Sequence, residues 1–303
     1  MIYRRYVRLR NMRLKTKGAR QVRLSFASAV IVACVACVAG LLGGLEYRHV
    51  ANAVREFRSD PALFSETTSR SEVTCTKLLH GAHMVALVLG QSNSANSGEG
   101  PLIAPAHVYN YFEGHCYEAT DPLLGATGSG ASVWTRVGRR LVEQGTYENV
   151  IIAPLAVDGS KVSDWAHDRK LNKRLVSTME DLERSGLTVT HVLWHQGEAD
   201  AIAGTASTTY KNDLLAVVAT IRERLKTTPI YISMASRCGR VKPDPEIRRA
   251  QSEVIQVEAG ILAGPDTDTL DHCYRYDGCH FSELGLERVS GLWDVRLSAP
   301  ANR

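Results

Sequence analysis

Three residues in two short polar clusters have the types and spacing for nucleophilic catalysis. Ser92 lies in the sequence GQSNS at residues 90–94, directly after the apolar run 84–89. Near the other end of the chain, Asp277 and His280 are three residues apart. That spacing lets the carboxylate contact Nδ1 of the imidazole and leaves the second ring nitrogen free to accept a serine proton. These residues predict a serine nucleophile with a histidine base, although a helix cap and a surface turn are the ordinary alternatives.

The oxyanion of a tetrahedral intermediate needs hydrogen-bond donors, and three groups could supply them. The Ser92 N–H lies near an expected helix start, where partial positive charge favours an anion. Gly159 follows the apolar run 150–157 and can present its N–H without a side chain in the way. Gln196, within WHQGEAD at residues 194–200, can donate from its side-chain amide. For the glycine alone, a plain turn is the simpler interpretation.

Asn93, His195 and Glu198 are possible supporting residues in the same clusters. Glu198 either braces its loop or assists the catalytic residues. His195 and Glu198 could both bind a metal, but two ligands three residues apart in a loop are a weak pattern. We therefore expect neither a metal nor a cofactor.

The elements that must hold these clusters alternate between strand and helix along the chain. Apolar runs predict strands at 84–89, 150–157, 189–194, 230–235 and 261–263, and helical spacing predicts helices at 132–144, 171–184, 210–226, 246–259 and 282–297. This alternation indicates an α/β fold with parallel strands, right-handed crossovers and helices on both faces. Ligands bind at the carboxyl ends of the strands in such sheets, which is where the polar clusters fall.

Taken in order, GQSNS, the glycine at 159, WHQGEAD and DGCH at 277–280 resemble the four blocks of the SGNH hydrolase superfamily. More narrowly they resemble its sialate O-acetylesterase and acetylxylan-esterase-like branch, in which GQSN replaces GDS and HQGE replaces GxND. The resemblance covers roughly residues 83–297. It implies a three-layer α/β/α flavodoxin-like sandwich with a parallel sheet.

The same resemblance implies roles for individual residues. Ser92 would be the nucleophile, His280 the general base and Asp277 the acid that orients it. The oxyanion hole would consist of the Ser92 N–H, the Gly159 N–H and the Gln196 side chain.

The activity implied is that of a serine esterase that removes O-acetyl groups from a carbohydrate through an acetyl-serine intermediate, without a cofactor. The alternatives are a polysaccharide O-acyltransferase with the same triad, a non-catalytic carbohydrate-binding protein, and a thioesterase or lipase.

Five aromatic residues could stack on the sugar, although ordinary packing explains each at least as well. These are Trp134, Trp165, Tyr109, Tyr111 and Phe112.

Positive charge is concentrated at the N-terminus. Residues 1–24 hold nine of the 36 Lys and Arg residues and no acid, so 27 basic residues face 32 acids in the remainder, a balance of −5. We expect no nucleic-acid partner, because the basic run belongs to a targeting signal. Residues 26–45 carry no charge and would span about 30 Å as a helix.

This pattern predicts a basic cytoplasmic tail at 1–25, a transmembrane anchor or cleaved signal at 26–45, a stalk at 46–80 and an esterase domain at 81–300. A lipid attached at Cys34 is a third possibility. The catalytic domain would lie outside the cytoplasm, membrane-anchored, or secreted or periplasmic if the segment is cleaved.

Five of the seven cysteines lie beyond the apolar segment, so two disulfides can form with one cysteine left over. Cys238 follows the fourth predicted strand, and Cys279 lies within the Asp277–His280 loop. Both fall at the same end of the sheet, and we predict that they are bonded. Cys75–Cys116 is the second expected pair, which leaves Cys273 free.

Overall fold

A computed structural model describes residues 62–298 of the chain, apart from residue 258. Eight strands form one sheet: β1 Glu72–Val73, β2 His83–Gly90, β3 Val108–Phe112, β4 His115–Glu118, β5 Asn149–Ala156, β6 His191–His195, β7 Ile230–Met234 and β8 Ile261–Asp266. The α-helices are α1 Val133–Glu143, α2 Lys170–Arg184, α3 Glu198–Ala203, α4 Ser207–Arg224, α5 Pro245–Ile255 and α6 Glu283–Ser298.

The sheet is mixed, which corrects the expectation of an entirely parallel one. Its strand order is β1-β4-β3-β5-β2-β6-β7-β8. The five predicted strands, which are β5, β2, β6, β7 and β8 in sheet order, pair in parallel. Strand β3, which was not predicted, is parallel to β5, whereas β4 is antiparallel to both β3 and β1. A two-residue hairpin turn can join only antiparallel strands, and such a turn connects β3 to β4.

Helices cover both faces of the sheet, because its central strand is apolar on both sides. Along β2, Val85, Leu87 and Leu89 pack with α2, α4 and α5. The alternate residues Met84, Ala86 and Val88 pack with α1 and α6 on the other face. Side chains of a strand point alternately to its two faces, so one continuous apolar run fills two cores and produces three layers.

The register of the central strands brings their carboxyl ends to one level. Gly90 at the end of β2 pairs with Ala156 of β5 on one side and with His195 of β6 on the other. The segments that follow these three strands therefore begin side by side. They contain Ser92, Gly159 and Gln196.

The segment expected to be a stalk contributes its last residues to the sheet. Strand β1 pairs with β4 at one edge, and the predicted Cys75–Cys116 disulfide joins the residues that follow β1 to β4. The predicted tail and apolar segment at 1–45 lie outside the described residues. Among residues 62–298, none of the helices is long and apolar enough to cross a membrane.

Candidate active site

Ser92 lies in a tight turn immediately after the central strand. Gly90 has φ +138°, and a Cβ there would lie 2.0 Å from the carbonyl oxygen of His195, so this close approach requires glycine. The chain then turns into a short 3₁₀ helix over Ser92–Ser94, with the Ala95 N–H donating to the Ser92 carbonyl at 3.0 Å. Ser92 is 5% exposed, and its hydroxyl makes no hydrogen bond within residues 62–298.

The structure brings Asp277 and His280 together as the spacing predicts. Asp277 Oδ2 lies 2.7 Å from Nδ1 of His280, and Asp277 Oδ1 accepts the backbone N–H groups of Cys279 and His280 at 2.8 and 2.7 Å. Partial burial raises the pKa of Asp277, but the hydrogen bonds from His280 and Cys279 outweigh burial and hold that pKa below its ordinary value. The carboxylate thus fixes both the loop backbone and the imidazole, leaving Nε2 as the ring nitrogen able to accept a proton.

Residues 277–280, the predicted catalytic loop, are held by a hydrogen bond to the turn that carries Ser92 and by a disulfide to another segment. Asn93, the neighbour of Ser92, donates from Nδ2 to the carbonyl oxygen of Cys279, the neighbour of His280, at 3.2 Å. The predicted Cys238–Cys279 disulfide is present and ties the loop to the segment after β7, and Cys273 is free as expected. No direct bond joins Ser92 to His280 in this structure. Such bonds often form only when substrate is present.

The three predicted oxyanion donors differ in availability. The backbone N–H groups of Ser92 and Gly159 make no hydrogen bond within the described part of the chain. Gln196 is fully buried, and its amide nitrogen lies 2.7 Å from Asp200 Oδ2, 3.1 Å from the Ser160 carbonyl oxygen and 3.2 Å from Gln91 Oε1. An amide has two protons, so these acceptors leave none for a substrate oxygen.

A buried charged cluster lies beneath the catalytic loop. Glu198 Oε1 accepts from Asn93 Nδ2 at 2.7 Å and lies 3.7 Å from His195 Nε2. Burial raises the pKa of Glu198, against the opposing effects of Asn93 and Arg275. Burial, followed by the charge of Arg275, lowers the pKa of His195 to about 3, so this histidine is neutral at neutral pH. Glu198 thus orients Asn93, the residue next to the predicted nucleophile.

Arg275 belongs to this cluster, and the sequence analysis did not identify it. Its guanidinium donates to the carbonyl oxygens of Leu270, Thr267 and Cys279 and lies 4.6 Å from the ring centre of Phe281. Burial lowers the pKa of Arg275, while Glu198 is the foremost group that raises it. An arginine one turn before the catalytic loop has no distinctive spacing, so only the structure reveals that it holds the loop from below.

The aromatic residues expected to stack on a sugar are packed in the protein instead. Trp134, Trp165 and Tyr111 are buried, and Tyr109 and Phe112 are partly buried in β3. Ordinary packing therefore accounts for the three buried rings, as the alternative interpretation held.

Tyr276 was missed by the sequence analysis. It is 49% exposed, and its ring centre lies 6.1 Å from that of His280. Its position directly before Asp277 was the only available signal.

One group of possible metal ligands occurs among residues 62–298. Asp271, His272 and Cys273 are consecutive, and their ligand atoms lie within 4.8 Å of one another. None of its members is Ser92, Asp277 or His280.

Ser92 offers a hydroxyl and His280 an oriented imidazole. The backbone N–H groups of Ser92 and Gly159 make no hydrogen bond within residues 62–298. Acyl transfer by a serine nucleophile requires groups of these kinds.

Comparison with known proteins identifies the family of the chain. A family model described as carbohydrate esterase, sialic acid-specific acetylesterase matches residues 82–289, more than two thirds of the chain. A probable carbohydrate esterase of Arabidopsis thaliana is 28% identical over 116 residues, which are 36% of this chain and 44% of that protein. The aligned part therefore spans less than half of the curated relative.

Solved structures share the fold. The X-ray structure of that Arabidopsis thaliana protein has a TM-score of 0.58 at 18% identity and covers 73% of this chain and all of that one. NanS has a TM-score of 0.51 at 16% identity, with 71% and 96% covered. A structure described as a novel carbohydrate acetylesterase from Xanthomonas citri has a TM-score of 0.51 at 15% identity, with 72% and 56% covered.

Proposed function

The chain belongs to the family of sialic acid-specific carbohydrate acetylesterases, and we propose that it removes O-acetyl groups from a carbohydrate through an acetyl-serine intermediate. The observation that carries the proposal is the 2.7 Å contact between Asp277 Oδ2 and His280 Nδ1 in a loop hydrogen-bonded to the nucleophile turn through Asn93. This geometry supports one histidine nitrogen as the base for Ser92, whose hydroxyl makes no hydrogen bond within residues 62–298.

In the first half of the reaction, His280 takes the proton of Ser92 as the serine oxygen attacks the acetyl carbonyl. The N–H groups of Ser92 and Gly159 stabilise the oxyanion, each contributing roughly 3 kcal/mol to the transition state. The intermediate collapses, and the sugar oxygen leaves with the proton from His280. Water, deprotonated by His280, then releases acetate from Ser92 by the same steps.

Gln196 has a different role in this proposal from the one the resemblance implies. Its carbonyl oxygen accepts from the Tyr210 hydroxyl at 3.1 Å while its amide donates to Asp200. It thereby fixes the short segment between β6 and α3, the helix that begins at Glu198. Glu198 and Asn93 act as positioning residues, since Asn93 donates to Glu198 and to the carbonyl oxygen of Cys279.

The proposed location is outside the cytoplasm. Two disulfides are typical of a domain that folds in an oxidising compartment, whether extracellular or periplasmic. The membrane anchor or signal at 26–45 remains part of this proposal.

The test is acetate release from a panel of O-acetylated sugars by the full-length chain and by a Ser92→Ala variant. We expect release by the wild type and its loss in the variant. Ser94→Ala is the matched control, because Ser94 lies in the same turn but its hydroxyl donates to the carbonyl oxygen of Leu89. Activity retained by Ser92→Ala would refute the mechanism. Transfer of acetyl to a second sugar in excess of acetate release would support the acyltransferase instead, and sugar binding without turnover would support the binding protein.

A further inference from the structure

An exposed tyrosine forms one side of the candidate site. The Tyr276 backbone N–H donates to the carbonyl oxygen of His280 at 3.0 Å, and the two rings are inclined by 31°. The Tyr276 hydroxyl lies 3.4 Å from the carbonyl oxygen of Ser97. The side chain is thus held at its backbone and at its tip, while about half of its surface remains open to solvent.

The contacts continue from Tyr276 towards the proposed oxyanion donor. Ser97 donates its hydroxyl to Asp158 Oδ1 at 3.1 Å, and Asp158 directly precedes Gly159. Tyr276, Ser97 and Asp158 therefore form a chain of contacts from the base to the oxyanion donor. We call these three residues the rim.

The rim has the chemistry that a sugar ring requires. The C–H face of a pyranose is apolar and packs on an aromatic face, while its hydroxyls donate to carboxylates. Of the tyrosine, tryptophan and phenylalanine residues that the structure describes, only Tyr276 is exposed. Burial, together with the nearby carboxylates of Asp277, Glu99 and Asp158, raises the pKa of Tyr276, so its hydroxyl stays protonated and can hold its contact with Ser97.

We propose that Tyr276 is the platform on which the sugar ring stacks while its acetyl group lies at Ser92, and that Asp158 accepts a hydroxyl of the same sugar. This inference rests on the proposed esterase function and adds how the substrate is bound: as a pyranoside ring that stacks on Tyr276 and donates a hydroxyl to Asp158. Tyr276 and Asp158 are specificity-determining residues in this account, since the bonds that form and break are those already assigned to Ser92 and His280.

The test compares two substrates that share the acetyl group and differ in the ring. These are a mono-O-acetylated methyl pyranoside and ethyl acetate. Tyr276→Ala and Tyr276→Leu should each lower kcat/KM for the pyranoside about tenfold, because both remove the flat ring, and should leave ethyl acetate hydrolysis unchanged. Tyr276→Phe keeps the ring and should retain activity on both substrates within about threefold.

Two further variants sharpen the comparison. Asp158→Asn can still accept from Ser97 and should lower kcat/KM for the pyranoside severalfold without affecting ethyl acetate. Val295→Ala, at a side chain 67% exposed on α6, removes apolar surface elsewhere and should change neither value.

The two proposals fail in different ways. If the wild type releases acetate from both substrates but Tyr276→Ala and Tyr276→Leu lower both equally or neither, the platform is refuted and the esterase function stands. An equal loss would mean that Tyr276 acts through His280. If the wild type cleaves neither substrate, or Ser92→Ala cleaves them as well as the wild type, the proposed function itself is refuted.

Discussion

Removing the disulfide that holds the catalytic loop should lower activity and stability, whereas removing the other disulfide should lower stability alone. The two bonds, Cys75–Cys116 and Cys238–Cys279, each join residues 41 positions apart. A cross-link that closes a loop of this length lowers the conformational entropy of the unfolded chain and thereby stabilises the folded protein by about 4 kcal/mol. Replacing both cysteines of either pair by serine should therefore lower the melting temperature by similar amounts, about 8–16 °C.

The two bonds differ in what they hold. Cys279 lies between Asp277 and His280, so its release frees the loop that aims the base. Other contacts on the loop persist, among them the Gly239 N–H to the Gly278 carbonyl oxygen at 2.9 Å. We expect kcat/KM to fall by about ten- to a hundredfold, the loss typical of a misplacement near 1 Å. Cys75–Cys116 fastens an edge of the sheet, and its loss should leave kcat/KM unchanged.

Acetate release should be measured well below the melting temperature of both double variants, and unfolding free energies by urea titration. Equal stability loss with unequal activity loss is the expected result. Equal activity in the two double variants would refute the reasoning that the Cys238–Cys279 bond positions the base. A much smaller stability loss for one pair would refute the use of loop length to set the magnitude.

Three other predictions, which use four substitutions, concern the catalytic loop, Gly159 and Glu198. In Asp277→Asn, the side-chain oxygen can still accept the two loop N–H groups, but the amide nitrogen would donate to Nδ1 and place the His280 proton on Nε2. We therefore expect kcat to drop by about 10⁴ with little change in melting temperature. Activity within tenfold of wild type would contradict the role assigned to Asp277. Gly159→Ala and Gly204→Ala meet the same conditions, φ +65° and +64° with open space around the added Cβ, so each should lose about 1 kcal/mol of stability in urea titrations. Only Gly159→Ala should lower kcat/KM. An equal loss of kcat/KM in Gly204→Ala would argue against Gly159 as an oxyanion donor. Because burial raises the pKa of Glu198 above 4.5, the folded protein holds that proton more tightly than the unfolded chain, and wild-type stability should decline relative to Glu198→Gln as the pH rises from about 4.5. A difference in unfolding free energy that is constant from pH 4 to 8 would contradict this.

Local features of the site were predictable from the sequence, because short spacing limits geometry. Asp277 and His280 are three residues apart, and their contact follows from a single turn. The central parallel strands were predictable too, since strands covered on both faces read as unbroken apolar runs.

The features that depend on distant or unusual residues were not predictable. The charge of Arg275 acts on Glu198 across 77 sequence positions, and no local pattern indicates such an interaction. The β3–β4 hairpin was missed because its turn residues, Glu113 and Gly114, have φ +47° and +89°, a conformation usually signalled by Asn-Gly or Asp-Gly. Because Glu113 stands in the first turn position in place of Asn or Asp, the sequence pattern did not indicate a hairpin. Apart from its position before Asp277, nothing in the sequence marked Tyr276, because its exposure depends on the packing of the whole loop.

The strand order places the proposed nucleophile and the proposed base in regions whose amide protons are protected unequally from exchange with solvent. Ser92 follows β2, an interior strand of the sheet, whereas the loop that bears His280 comes after β8, which is an edge strand. Local opening starts where fewer neighbours must separate, so amide protons around His280 should exchange through small fluctuations and those of β2 only through global unfolding. In mild denaturant the loop that bears His280 should therefore open first. Catalysis should then disappear while the amide protons of β2, the strand before Ser92, are still protected from exchange.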